Sequence, residues 1–149
     1  MTLPRRRLAG ALIATLALGL YGPTRAAGPT PLEVWHDPSC GCCAGWVRHM
    51  RADGFAVTVH PTADLVAVKA AAGVPVALQS CHTARAGGYV IEGHVPAGDV
   101  RRLLAERPRA RGLAAPGMPA SAPGMDQPGE AYDVVLFGSP AGERTWARH

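Results

Sequence analysis

Four cysteines and two histidines carry the chemical signal in this sequence. Cys40, Cys42 and Cys43 fall within the run Ser39-Cys40-Gly41-Cys42-Cys43, and Cys81-His82 and His94 follow later. Cys40 and Cys43 form a C-x-x-C pair where a helix is expected to begin. A helix N-terminus favours a thiolate, because unpaired amides and the helix dipole stabilise negative charge there. Such a position serves a dithiol redox couple and a metal site alike. Cys42 separates the two readings. A dithiol oxidoreductase has no use for a third thiol inside its pair, where a wrong disulfide can form. Successive helical residues point about 100° apart. Cys42 and Cys43 therefore suit several soft ions bridged by sulfur better than one tetrahedral ion. Disulfides among the four cysteines stay open, since sequence does not choose a pairing.

The elements that must position these residues follow from patterning. Leu32 to Trp35 alternates and reads as a strand. His36-Asp37-Pro38-Ser39 reads as a turn with helix-capping chemistry. A helix is expected over 44–53, with Cys43, Trp46, Val47 and Met50 on its apolar stripe and Gly54 as its stop. Phe55 to His60 is a strand, and Thr62 to Ala72 an Ala-rich helix with Thr62 as cap. Cys81 to Arg85 and Tyr89 to Glu92 form a hairpin across Ala86-Gly87-Gly88. Pro96 opens a helix running to Arg107. Residues 112–129 read as a Gly/Pro/Met loop that repeats Pro-Gly-Met, and Tyr132 to Phe137 with Arg144 to Ala147 close the chain as a hairpin. The order β, helix, β, helix, β-hairpin, helix predicts an α/β domain of thioredoxin-like fold, a mixed sheet flanked by helices.

That fold brings the late residues to the early ones. In a thioredoxin-like domain the turn into the third strand packs against the C-x-x-C, and here that turn is Ser80-Cys81-His82-Thr83. The turn after the fourth strand then brings His94 into range, as a ligand or as a group behind one. Thiolate and imidazole, with Met118 and Met125 as thioethers on the loop, point to copper as Cu(I); zinc is the weaker alternative. The expected metal set is Cys40, Cys42, Cys43, Cys81, His82, His94, Met118 and Met125. His36 is expected in a turn. His49 is expected on the surface, about 10 Å along its helix from Cys42 and too far to share an ion.

Several stretches resemble one bacterial family. They are His36-Asp37-Pro38-Ser39-Cys40-Gly41-Cys42-Cys43-Ala44-Gly45-Trp46, Ser80-Cys81-His82-Thr83, Gly88 to Pro96, and Gly112 to Pro119. The sequence is similar to the family long described as a domain of unknown function that includes the CopG-type periplasmic copper-resistance proteins. The resemblance implies a thioredoxin-like fold and copper handling in the periplasm. It carries the family's cysteine positions onto Cys40, Cys42, Cys43 and Cys81, with His82 beside the last.

The remaining features bound the function. Residues 1–27 read as an export signal: Arg5-Arg6-Arg7, then the apolar run Leu8 to Leu20, then small residues around Ala26. That run is shorter than the roughly 20 residues of a membrane span, so a single domain over 28–149 without a stable membrane span is expected in an oxidising compartment. Arg5, Arg6, Arg7 and Arg25 supply the whole net charge of +4. Without them the signs balance, which argues against nucleic acid as a partner. No phosphate-cradling glycine loop, H-E-x-x-H or G-x-S-x-G occurs, so nucleotide and hydrolase chemistry lack support. The expected partners are a metal ion and a periplasmic copper donor or acceptor. The function expected is copper binding in resistance or homeostasis, with redox cycling of Cu(I) and Cu(II) open. The alternative is a thiol-disulfide oxidoreductase using Cys40 and Cys43.

Overall fold

A computed structural model describes residues 28–149; residues 1–27, where an export signal is expected, lie outside them. β1 (Thr30–His36) buries Leu32, Val34 and His36 and exposes Pro31 and Glu33, the period of a strand with one face on a core. α1 (Gly41–Ala52) follows after a short turn and buries the expected stripe of Cys43, Trp46, Val47 and Met50. Full burial of Met50 alone contributes about 1.5–3 kcal/mol relative to exposure. The helix stops where Gly54 adopts φ +85°, a left-handed conformation that other residues take at a cost. β2 (Phe55–Pro61) then pairs parallel with β1, as a crossover through a helix requires.

α2 (Leu65–Ala72) begins later than its sequence implies. Asp64, not Thr62, is the cap, and its Oδ1 accepts from the Ala67 N–H at 3.0 Å. Thr62 supports the cap instead, its hydroxyl accepting from the Asp64 N–H. A one-turn 3-10 helix at Val76–Leu78 leads into β3 (His82–Ala86), which runs antiparallel to both β1 and β4 (Tyr89–Glu92). α3 (Ala97–Glu106) returns the chain to β5 (Gly112–Ala114), β6 (Asp133–Phe137) and β7 (Arg144–Arg148).

Seven strands make one mixed sheet in the order β2-β1-β3-β4-β5-β6-β7. β5 corrects the reading of 112–129 as loop throughout, since its three residues pair parallel with Val90 to Glu92. Gly112 lies so close to the Val90 carbonyl oxygen that a Cβ would stand 1.8 Å from it. Backbone proximity, rather than side-chain pattern, makes this a strand. The expected closing hairpin is present as antiparallel β6 and β7, with a register shift between Val134 and Val135.

The sheet separates two apolar clusters. Ile91, Leu113 and Leu136 join α1 and α3 residues such as Trp46, Met50, Val100 and Leu103. Their chain neighbours Val90, Ala114 and Phe137 join Ala72 of α2 with Val74 and Leu78. Alternation along β4, β5 and β6 thus splits the core, with α1 and α3 on one face and α2 on the other. No helix among the described residues is long and apolar enough to cross a membrane.

Candidate metal centre

The first turn of α1 supplies three sulfurs. β1 ends at His36, and the Cys40 N–H closes the next turn onto the Asp37 carbonyl at 2.9 Å. Asp37 Oδ1 accepts from the Ser39 hydroxyl and from the Ser39 N–H, and these bonds, the hydroxyl's first, hold that carboxyl below its ordinary range. Cys40 is the N-cap, and among the described residues no side chain accepts from the free amides of the first turn; no acid lies in that turn either. The positive end of α1 is therefore left to the sulfurs. Cys40 and Cys43 form a disulfide, and Cys42 and Cys81 are free. Cys42 Sγ stands 3.5 Å from Cys40 Sγ and 4.0 Å from Cys81 Sγ. The third thiol inside the C-x-x-C therefore turns toward the late cysteine rather than away from it.

The second half of the site comes from the turn into β3 and the turn after β4. His82 pairs in register with His36 across β1 and β3, which delivers Cys81 to the start of α1. Cys43 Sγ lies 3.8 Å from the Cys81 carbonyl oxygen. Cys81 Sγ is 3.3 Å from His82 Nδ1 and 3.0 Å from His94 Nε2. Two donor sets result: Cys40, Cys42, Cys43 and Cys81, and Cys81, His82 and His94, with ligand atoms in each set within 4.8 Å of one another. Cys81 belongs to both.

Each imidazole is held firmly. His94 Nδ1 lies 2.7 Å from the Pro123 carbonyl, which only accepts, so Nδ1 carries the proton and Nε2 turns its lone pair to the sulfur. The His82 ring packs 4.4 Å from that of Trp46, whose Nε1–H donates to the Val95 carbonyl at 2.8 Å. His82 Nε2 is buried with no hydrogen-bond partner among the described residues.

Burial sets the protonation of this cluster. It pushes the Cys81 thiol up to about 12, with the neighbouring Cys42 charge adding to the effect. Burial holds His82 well below the ordinary histidine value, reinforced by the charges of His94, Lys69 and His36. Burial lowers His94 too, against the opposing pull of the Pro123 carbonyl and Asp126. Near neutral pH the metal-free site is thus one thiol facing two neutral imidazoles. Neutral imidazole is the ligating form, and a cation must displace the thiol proton. Thiol sulfur and imidazole nitrogen without a carboxylate fit a soft cation rather than magnesium or calcium.

A strap over the site follows β5. Ser80 forms an isolated parallel bridge with Gly117, and its hydroxyl donates to the Gly117 carbonyl. Farther along, Pro123 meets His94, and Gly124 presses on α1 so closely that a Cβ on Gly45 would stand 2.7 Å from the Gly124 carbonyl oxygen. The structure thus assembles Cys40, Cys42, Cys43, Cys81, His82 and His94. Met118 and Met125 stand on the strap, Met118 at 58% exposure and Met125 half-buried.

Two histidines take places the sequence reading missed. His36 is buried at the end of β1 beside His82, not in a turn. His49 is half-buried, and its Nε2 accepts from the Ala97 N–H at 3.0 Å, capping α3. A buried Lys69–Glu92 ion pair beside the Cys81 turn was also missed.

Comparison with known proteins gives a consistent picture. The family model described as "Protein of unknown function, DUF411" matches residues 78–125. Two solved structures, described as "Copper resistance protein copG- Form 1" and "Copper resistance protein copG- Form 2", are similar to this chain at TM-score 0.76 and 43% identity. Each alignment covers 81% of this chain and 98% of the other. No curated protein matches.

Proposed function

The chain belongs to the DUF411 family, that of copper resistance protein CopG, and from that premise we propose that it is a periplasmic copper-binding protein contributing to copper resistance. The observation that carries this reading is the position of Cys81 Sγ, 4.0 Å from Cys42 Sγ and 3.0 Å from His94 Nε2. A sulfur common to two donor sets suits more than one Cu(I), held by bridging thiolate. Cys40, Cys42, Cys43 and Cys81 supply thiolates when the disulfide is reduced, and His82 and His94 supply imidazole nitrogen. Met118 and Met125 supply thioethers from the strap. Bound copper would bring one-electron chemistry to the site, which mixed sulfur and nitrogen ligation supports in both valences. The thioredoxin-like assignment belongs to this reading, supported by the strand order β2-β1-β3-β4 and the helices between those strands. Periplasmic location rests on the export segment in residues 1–27, and a copper donor or acceptor protein in that compartment is the partner it implies.

The test is anaerobic Cu(I) titration of the fully reduced chain, with zinc as competitor. More than one Cu(I) per chain, and fewer in Cys42→Ser, is the expected result. No uptake, or an unchanged stoichiometry in Cys42→Ser, overturns it.

The Cys40–Cys43 disulfide favours a second reading, a thiol-disulfide oxidoreductase. Cys43 is buried and Cys40 partly exposed, the arrangement of a resolving and an attacking thiol. Under this reading Cys42 and Cys81 are dispensable.

A further inference from the structure

Glu92 ends β4 with a carboxylate that has no exposure to solvent. Its Oε1 accepts from Lys69 Nζ at 2.6 Å and from the Ser80 backbone N–H at 2.7 Å. Its Oε2 accepts from the Thr83 hydroxyl at 2.7 Å, and Lys69 Nζ donates to that hydroxyl at 3.1 Å. Thr83 is fully buried and Lys69 nearly so. The carboxylate thus collects donors from α2, from the turn before β3 and from β3 itself. Ion pairs removed from water are often matched or bettered in stability by apolar residues of similar size. Stability alone therefore gives little reason for charge at this place.

The identity of the partners gives a better one. Ser80 precedes Cys81, Thr83 follows His82, and Glu92 runs through Gly93 into His94. The Gly93 N–H also donates to the His82 carbonyl at 2.9 Å. Gly93 sits so near Ser80 that a Cβ would stand 2.5 Å from the Ser80 hydroxyl oxygen. One carboxylate therefore fastens the chain on both sides of Cys81-His82 to the end of β4, from which the turn to His94 departs.

We infer that Glu92, neutralised by Lys69, is a positioning residue of the metal centre. By fixing Ser80 and Thr83 it holds Cys81 Sγ within reach of His94 Nε2. Its purpose rests on the copper reading above, while its geometric effect on Cys81 exists in the metal-free chain.

Two paired substitutions test this. Lys69→Met with Glu92→Leu removes both charges and the shared acceptor. Lys69→Met with Glu92→Gln removes the charges but keeps an amide that can accept from the Ser80 N–H and donate to the Thr83 hydroxyl. The first readout is alkylation of Cys81 by iodoacetamide in the metal-free, disulfide-intact chain, resolved from Cys42 by mass spectrometry. The second is Cu(I) affinity by competition with a chromophoric chelator. In the leucine pair, Cys81 alkylation rises several-fold while that of Cys42 holds. Cu(I) affinity there falls about 10–100-fold, the usual loss when groups that orient metal ligands are removed. The glutamine pair returns both readouts toward wild type. Should the leucine pair fail to fold, Thr83→Val removes both hydrogen bonds of that hydroxyl, to Glu92 and from Lys69, at nearly constant shape and is expected to shift Cys81 in the same direction.

Equal Cys81 alkylation across the folded chains overturns the inference, as does a rise shared equally by Cys42. A wild-type chain that takes up no Cu(I) counts against the copper reading alone, because the alkylation comparison contains no metal.

Discussion

Cys81 Sγ and His94 Nε2 lie 3.0 Å apart, although thirteen positions separate them in the chain. The β3–β4 hairpin brings them together, with Thr83 and Glu92 in register just inside the pair. The contact places a sulfur against the unprotonated Nε2, because the Pro123 carbonyl fixes the ring's proton on Nδ1.

Cys81→Ser removes the atom common to both donor sets, whereas Cys42→Ser touches one. Loss of Cu(I) capacity is therefore larger in Cys81→Ser. Anaerobic titration of both reduced variants, with elemental analysis after gel filtration, measures the difference.

The disulfide-intact chain retains Cys42, Cys81, His82 and His94 as donors. It binds Cu(I), but less per chain than the dithiol form. Parallel titrations before and after reduction, with thiol counting, check this. If insulin reduction instead persists undiminished in Cys42→Ser and Cys81→Ser, the oxidoreductase reading gains.

Lys69→Met alone strands the Glu92 carboxylate without its counter-charge. Breaking a buried pair on one side costs about 3–5 kcal/mol. Substituting both partners with apolar residues costs far less. Urea denaturation of the single and double variants reads the two numbers directly.

Acid weakens the metal-free fold. His49, His82 and His94 all titrate below the ordinary value of 6.5 in the folded chain, burial being the main cause in each. The unfolded chain therefore binds more protons as pH drops below about 6.5. Stability contributed by these rings is complete above that value and is lost as pH falls toward the lower folded values. Thermal midpoints of metal-free protein across this range should fall on acidification.

Gly45→Ala places a methyl group against the Gly124 carbonyl at 2.7 Å. Overpacking of this kind costs about 1–3 kcal/mol. The strap gives way before the helix does, so proteolysis between β5 and β6 quickens while the sheet persists. Limited thermolysin digestion, set beside a thermal melt, separates the two effects.

Much of the site could be read from the chain because its elements are patterned locally. Alternation in β1 and the Cys43, Trp46, Val47, Met50 stripe of α1 fix where the early thiols start a helix. Placing Cys81 beside them needed the order of elements, since nothing in the spacing relates residue 81 to residue 42. β5 escaped notice because Gly-Leu-Ala carries too short a pattern, and the Val90 backbone is what defines it. Thr62 and Asp64 are both good caps two residues apart, and α2 is too short for its periodicity to choose between them. The Lys69–Glu92 pair was hidden differently. A lysine in an Ala-rich helix looks solvated, and only Glu92 at the end of the apolar run Tyr89-Val90-Ile91 hinted at a buried partner.

The strap between β5 and β6 is anchored at Gly117 on Ser80 and at Pro123 on His94, with Ala122 buried and Gly124 seated on Gly45. Surface connections ordinarily absorb inserted or deleted residues with little consequence. The span 118–122 does not share that freedom. It works as a ruler between two ligand-bearing turns, so a change of length there moves an imidazole before it loosens anything else.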